Sequence, residues 1–361
     1  KLVRENFHLA DVMPDFRMLS EQEEFGFEQA AANEVLEQLY QGEEEDISLL
    51  LDLFTNEKSD GPLYDAVIKL YKYSQSYPFP KKWLLSLSDM YDPDKPISET
   101  IWGRTVLKDI EQGIDYAVSL SEGALKTAAR DEKVYENYSF AINNDLSQLN
   151  NLNNLVSEGD WASVVTALRS FNFERLGSGA KKAEPNLKEN AKKQRDKVKD
   201  IIKKLSDYQL PSQSEHREDV YALKPSIKLL INTVISFYDK LNEIKKEENS
   251  YSFSDILHKS ISLLVGDKGE KTPLSKALSE KYKEILIDEY QDTNEAQDIL
   301  FYALSKDGNN IFFVGDVKQS IYGFRNAMPE LFLRKKESMP MYDGVAFPSQ
   351  IMLDRNFRSR K

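Results

Sequence analysis

Asp288 and Glu289 stand side by side directly behind the apolar run Ile285-Leu286-Ile287, and the string continues Tyr290-Gln291-Asp292-Thr293-Asn294. Three apolar residues leading into two carboxylates are the pattern of a buried parallel strand. Such a strand delivers acids at its carboxyl end, where open α/β sheets bind ligands. Adjacent carboxylates in that place suit metal-assisted phosphoryl chemistry. Asp288 is suited to hold Mg²⁺, a hard cation that needs one well-held carboxylate beside phosphate and water oxygens. Glu289 is suited to orient or deprotonate an attacking water. The same string also describes a strand followed by a solvated acidic turn. A metal-dependent nuclease would need further carboxylates and a Lys around a second metal, and none follow at suitable spacing. Gln291 and Asp292 are placed to tie the turn to its neighbours.

A second apolar run ends in a Gly-Asp turn at Ile311-Phe312-Phe313-Val314-Gly315-Asp316 and continues Val317-Lys318-Gln319-Ser320-Ile321-Tyr322-Gly323-Phe324-Arg325. Gln319 offers a carboxamide that can both donate and accept. Tyr322 and Phe324 offer faces on which single-stranded bases stack without regard to sequence. A third string closes the chain, Leu353-Asp354-Arg355-Asn356-Phe357-Arg358-Ser359. The three strings, in this order, closely resemble motifs II, III and IV of the UvrD/Rep-type superfamily 1 DNA helicases. Other segments resemble the AddA/RexA and RecB branch: Leu2-Val3-Arg4-Glu5-Asn6-Phe7, Pro14-Asp15-Phe16-Arg17-Met18-Leu19, Lys82-Trp83-Leu84 and Tyr251-Ser252-Phe253-Ser254-Asp255-Ile256-Leu257. The last departs from that branch's Asp-Phe-Ser-Asp-Leu string in having Ser252 at the first Asp position.

The resemblance implies part of an ATP-dependent, 3′-to-5′ DNA helicase/exonuclease of the AddA/RexA type. Proteins of that type serve double-strand-break repair and recombination, use ATP and Mg²⁺, and work with a second helicase-nuclease subunit similar to AddB/RexB. On this resemblance Gln319 senses the γ-phosphate and links nucleotide state to the grip on DNA. Arg358 reaches the γ-phosphate and Phe357 packs on the adenine. Tyr322, Phe324 and Arg325 meet single-stranded DNA, with Phe324 standing where the family often has Trp. No Gly-x-x-x-x-Gly-Lys-Ser/Thr occurs. Gly177-Ser178-Gly179-Ala180-Lys181-Lys182 and Gly266-Asp267-Lys268-Gly269-Glu270-Lys271-Thr272 come nearest, and neither has Gly-Lys followed by a hydroxyl residue. The chain is therefore expected to be an internal piece of a longer protein that does not hydrolyse ATP alone. A non-catalytic DNA-binding or scaffolding module is the competing reading.

The chain has 361 residues, no cysteine and three scattered histidines, His8, His216 and His258. It has no disulfides and no thiolate metal site, and its composition suits a reducing cytoplasm. No apolar run is long enough to span a bilayer, so no membrane partner is expected. The net charge of −12 argues against general nucleic-acid affinity, but binding follows local potential. Between Lys181 and Lys204 lie ten Lys/Arg and four Asp/Glu. Val198, Ile201, Ile202 and Leu205 fall at helical spacing, which predicts an amphipathic helix with a basic outer face. That face, with Lys192, Lys193, Lys197 and Lys199, is either a solvated surface or a ridge contacting the phosphates of duplex DNA.

Helical periodicity is expected over residues 21–40, 47–54, 63–73, 101–121, 123–143, 161–170, 225–246 and 253–264, with a polar loop over 211–218 and another over 266–272. Strands are expected at 285–287 and 311–314, separated by a helix over 294–304. The predicted fold is mostly α with a partial α/β part. Residues 1–250 form a large helical insertion of the 1B kind, and residues 251–361 an incomplete RecA-like P-loop NTPase domain that carries motifs II to IV.

Overall fold

Hydrogen-bonding side chains mark where this chain turns into helix. In a computed structural model, which describes residues 1–42, 47–54, 61–179, 183–321, 323 and 326–353, Ser20, Thr100, Asp131, Asp160, Ser252, Thr272 and Asn294 each accept a backbone N–H of the first turn that follows. Such caps satisfy donors that have no partner within the helix. Ser252 is thus a working helix cap at the position where the AddA/RexA string has Asp, and Asp255 completes a capping box with it.

The chain divides into two compact units, Lys1–Asp89 with Pro225–Lys361, and Met90–Lys224. The first unit opens with α1 (Leu2–Glu5), β1 (Arg17–Met18), α2 (Glu21–Gln41), α3 (Ile47–Phe54), α4 (Gly61–Ser74) and α5 (Pro80–Ser88). The second holds α6 (Ile101–Ala128), α7 (Glu132–Glu158), α8 (Trp161–Ser170) and α9 (Pro185–Ser206). Helix α10 (Gln213–Glu247) gives its residues before Pro225 to the second unit and the rest to the first. The first unit then continues with β2 (Ser250–Tyr251), α11 (Phe253–Leu264), α12 (Pro273–Ser279), β3 (Ile285–Ile287), α13 (Glu295–Leu304), β4 (Ile311–Phe313) and α14 (Pro329–Ser338). The chain is mostly helical with few, short strands.

The boundary expected at residue 250 falls inside the first unit, and two ties run across it. Strand β2 pairs in parallel with β1, Arg17 opposite Ser250 and Met18 opposite Tyr251. Lys245 on α10, fully buried, lies 2.8 Å from the Asp255 carboxylate on α11 and 3.6 Å from Glu24 on α2. One core of the first unit packs Ala31, Leu50, Leu63, Val67 and Leu84 against Leu230, Val234, Phe237 and Leu241 of α10. Another joins Val3, Phe16 and Tyr251 to Ile261, Leu264, Ala296 and Ala303.

Strands β3 and β4 are parallel, in the register Ile285–Ile311, Leu286–Phe312 and Ile287–Phe313. One face of the pair turns Ile287 and Phe313 onto Tyr290, Met328 and Leu331. The other face is open: Leu286 is 71% and Phe312 54% exposed. The expectation of a buried parallel strand is thus corrected to a strand with one buried face, because the described residues supply a helical layer on that side only. The predicted loop over 266–272 is closed by an antiparallel bridge between Val265 and Lys271 and by the Gly266 N–H donating to the Glu270 carbonyl.

Two helix limits in and beside the second unit also differ from expectation. Helix α6 runs through Gly123 to Ala128, and the break comes at Asp131, which caps α7. Gly113 and Gly123 face α9, against Leu205 and Gln194, so their small size serves packing rather than a turn. Residues 213–218 are the first turns of α10 and not loop. Gln213 holds them to the Ile97 N–H and the Lys95 carbonyl.

The deepest polar contact of the second unit is Arg195 with Asp145, both buried, at 2.5 and 3.1 Å, with a further bond from the same guanidinium to the Glu174 carbonyl at 2.7 Å. Removing one partner leaves the other charged and unpaired in the core, at a cost of about 3–5 kcal/mol. Arg195→Ala should lower stability by that amount in urea unfolding, whereas Lys192→Ala, on the exposed face of the same helix, should change it by less than about 0.5 kcal/mol.

Candidate functional site

The parallel pairing of β3 and β4 sets their carboxyl ends side by side. The Val314 N–H donates to the Ile287 carbonyl at 2.8 Å, and the Tyr290 N–H to the Val314 carbonyl at 2.9 Å, so the two exit loops stay joined past the strands. Asp288 leaves β3 exposed, with Oδ1 accepting the Glu289 N–H at 3.0 Å. Glu289 has φ +51°, a left-handed backbone that costs a non-glycine residue about 1–3 kcal/mol. This strained turn swings the chain into the short helical turn Tyr290–Asp292 and leaves both acids at the rim.

Gln291 is buried, and its carboxamide joins the two loops. Nε2 donates to Glu289 Oε2 at 2.7 Å, and Oε1 accepts the Asp316 N–H at 2.9 Å. Gly315 is required beside it: a Cβ there would stand 2.5 Å from Gln291 Oε1. Asp316 in turn accepts Gln319 Nε2 at 3.0 Å and the Lys318 N–H at 3.0 Å. The Gln319 amide, ahead of that N–H, holds the Asp316 carboxyl below its ordinary range. Asp288, Glu289, Asp316 and Gln319 are thereby gathered at one end of the sheet. Beneath them Tyr290 is fully buried and donates its hydroxyl to Asp298 at 2.6 Å. Lys335 of α14 pairs with Asp298 at 3.2 Å and lies over the rings of Tyr290 and Phe313.

Tyr322, Phe324, Arg325, Phe357 and Arg358 lie outside the described residues, as do Lys181 and Lys182. Asn326, just beyond the motif III loop, is described. Its backbone is left-handed, its side chain donates to the Lys72 carbonyl at 3.2 Å, and it lines a groove of about 690 Å³ in the first unit. The groove runs between Glu21, Glu24, Phe25 and Glu28 of α2, Gln75 after α4, the start of α11 at Phe253, and Asn294 and Gln297. Phe253 is 83% and Phe25 55% exposed. Lys72 on its wall is paired with buried Glu28 at 3.0 Å. In the sequence Phe253 stands out only as part of a family string. The signal for more is its place directly behind a helix cap, off the apolar stripe of α11.

The basic ridge belongs to the second unit. Helix α9 buries Ala191, Arg195, Val198, Ile202 and Leu205 and exposes Lys192, Lys193, Lys197, Lys203 and Lys204. Lys199 is half-buried and paired with Asp196, and Lys193 with Glu189. Arg195, counted among the basic residues of the ridge, is instead a core residue.

Residues 107–340 match the family model described as UvrD/REP helicase N-terminal domain. The chain belongs to that family. Relatives named as subunits of an ATP-dependent helicase/nuclease include those of Acetivibrio thermocellus (35% identical), Alkaliphilus oremlandii (34%) and Listeria monocytogenes serotype 4b (32%). The alignments cover 99–100% of this chain and 29–30% of the relatives, so the chain spans under a third of their length. The strings at Asp288-Glu289 and Gly315-Asp316 lie within the matched residues and meet through Gln291. Tyr290 is the anchor below that junction. Tyr290→Phe removes one hydrogen bond to a carboxylate that Lys335 still partners, and should destabilise the fold by about 1–3 kcal/mol in urea unfolding.

Proposed function

We propose that this chain is part of an ATP-driven DNA translocase of the helicase/nuclease type, moving 3′ to 5′ along single-stranded DNA and feeding a nuclease in double-strand-break processing. The observation that carries the reading is the junction at the sheet end, where Asp288 and Glu289 of one strand stand linked to Asp316 and Gln319 of the next. The relatives are named as subunits, which supports a further polypeptide as partner.

The residues present fit Mg²⁺ and nucleotide. Among the described residues, the partners of Asp288 and Glu289 are donors of their own turn, so their carboxylates are not neutralised. No cluster of three or more His, Asp or Glu stands ready to cage a metal among the described residues. That is the arrangement for an ion held by one or two carboxylates while phosphate and water supply the other oxygens. Asp288 would hold the ion, which when bound neutralises charge on the transferred phosphoryl group. Glu289, fixed by Gln291, orients the attacking water and accepts its proton. Gln319, poised by Asp316, reports the γ-phosphate to the DNA-binding half of its loop. The phosphate cradle belongs to another part of the longer polypeptide, since no Gly-Lys-Ser/Thr string occurs here. Phe357 and Arg358 complete the nucleotide site on the reading from motif IV.

The groove beside Asn326 takes the single strand. Its lining includes aromatic rings and carboxamides that can meet bases, the hydroxyls of Ser76 and Ser254, and carboxylates that keep phosphates outside. Phe253 joins Tyr322 and Phe324 as a stacking face, each worth about 1–3 kcal/mol per base. Arg325 holds a phosphate of the same strand. Lys192, Lys193, Lys197 and Lys199 contact duplex phosphates without sequence preference.

Glu289→Gln in the full-length protein should lower DNA-stimulated ATP turnover by about 10²–10⁴ while nucleotide binding persists. Turnover within a few-fold of wild type would remove Glu289 from the mechanism. Charge reversal of Lys192, Lys193, Lys197 and Lys199 to Glu should weaken duplex binding and flatten its salt dependence, whose log-log slope is about −0.9 per phosphate neutralised. Single-strand-stimulated turnover should stay near wild type. An unchanged duplex affinity and slope would make the ridge a solvated helix face.

A further inference from the structure

We infer that Gln291 is a positioning residue that couples the water-orienting Glu289 to the Asp316–Gln319 arm through a single side-chain amide. The inference rests on the reading of Glu289 given above and goes beyond it. Gln291 touches neither water nor phosphate in that scheme. Its carboxamide has one donor end and one acceptor end, and each is committed to a different loop: Nε2 to Glu289 Oε2 at 2.7 Å, Oε1 to the Asp316 N–H at 2.9 Å. Only 1% of the residue is exposed, so neither end has water as an alternative partner. A planar amide cannot turn one end without turning the other. Movement of the Asp316 turn therefore reaches the Glu289 carboxylate, and movement of that carboxylate reaches the turn.

Two further features limit the linkage to this geometry. Glu289 is held in a left-handed backbone, φ +51°, and its side chain is anchored by the Gln291 donor rather than by a cation. On the other side Gly315 leaves room for Oε1, and a methyl group there would sit 2.5 Å from it. The linkage then continues from the Asp316 carboxylate to Gln319 Nε2 at 3.0 Å. A continuous path of side chains and one backbone N–H thus leads from the residue that orients water to the residue read as the γ-phosphate sensor.

The test is a double-mutant cycle in the full-length protein, with Gln291→Ala, Gly315→Ala, the double variant and Glu289→Gln measured together. Gln291→Ala frees the Glu289 carboxylate and the Asp316 N–H at once, whereas Gly315→Ala displaces Oε1 and leaves Gln291 in place. Each single variant should lower kcat for DNA-stimulated ATP hydrolysis by about 10²-fold, the scale on which a small misplacement acts. KM for ATP and affinity for single-stranded DNA should stay within about threefold of wild type. In the Gln291→Ala background Gly315→Ala should cost far less, because the closest atom it strikes is gone and only the residue 291 backbone N at 3.2 Å and the Phe332 ring at 3.3 Å still press on the new methyl group; non-additivity of that kind marks a shared contact. A merely structural role would instead give losses of kcat that follow the melting temperature. Full additivity, or wild-type kcat in Gln291→Ala while Glu289→Gln is inactive, would overturn the coupling and leave the reading of Glu289 intact. Wild-type turnover in Glu289→Gln would overturn both. Should Gln291→Ala fail to fold, Gly315→Ala alone decides: kcat within about threefold of wild type overturns the coupling, and a loss of about 10²-fold with KM unchanged supports it.

Discussion

The junction of carboxylates and carboxamides at the sheet end depends on two short strands running the same way in one register. Ile285, Leu286 and Ile287 lie opposite Ile311, Phe312 and Phe313, so both strands deliver their next residues at the same edge. Had the pair been antiparallel, Asp288 and Asp316 would leave from opposite ends and no amide could bridge them. Parallel order is possible because α13 intervenes, a crossover of the length such pairing requires. The strands are too short to hold themselves. Their hold comes from one face, where Ile287 and Phe313 close over Tyr290, Leu331 and Met328, and from the ionic stitch of Tyr290, Asp298 and Lys335.

The polar residues around that sheet edge sort by burial. Tyr290 and Gln291 are buried with every hydrogen-bonding end committed, and they fix geometry. Asp288, Glu289, Asp316 and Gln319 lie at the rim, where a ligand can meet them. Buried groups that fix geometry and exposed acids left free to meet a ligand are a consistent division of labour. A polar group in the interior must be satisfied by protein, and is thereby unable to serve a substrate. The groove at Asn326 shows the same logic: Lys72 is neutralised by Glu28, while Phe253 and Phe25 stay bare.

Much of this is legible in the sequence. The apolar runs ending in Asp-Glu and Gly-Asp reveal the strands, the edge at which the acids emerge and the family, because strand burial and turn chemistry leave local marks. Helices α3, α8 and α11 match their expected limits for the same reason. The misses are tertiary. Gly123 reads as the start of a new helix in one dimension, but in three it is a place inside α6 where Gln194 comes close. Pro225 reads as a helix start, yet α10 begins at Gln213, which is held by the Ile97 N–H. Arg195 counts as surface charge until Asp145, distant in sequence, turns it inward. Strands β1 and β2, of two residues each, are too short to show a period, and the bridging role of Gln291 needs the second loop to be seen.

The most direct test is a structure of the full-length protein with Mg²⁺, a non-hydrolysable ATP analogue and single-stranded DNA. The metal should lie within about 2.0–2.1 Å of an Asp288 carboxylate oxygen. A water in line with the γ-phosphate should lie against Glu289, the Gln291 amide should still span Glu289 and Asp316, and a base should rest on Phe253. A nucleotide bound away from the carboxyl ends of β3 and β4, or a metal that leaves Asp288 uncoordinated, would contradict this reading of the sheet edge.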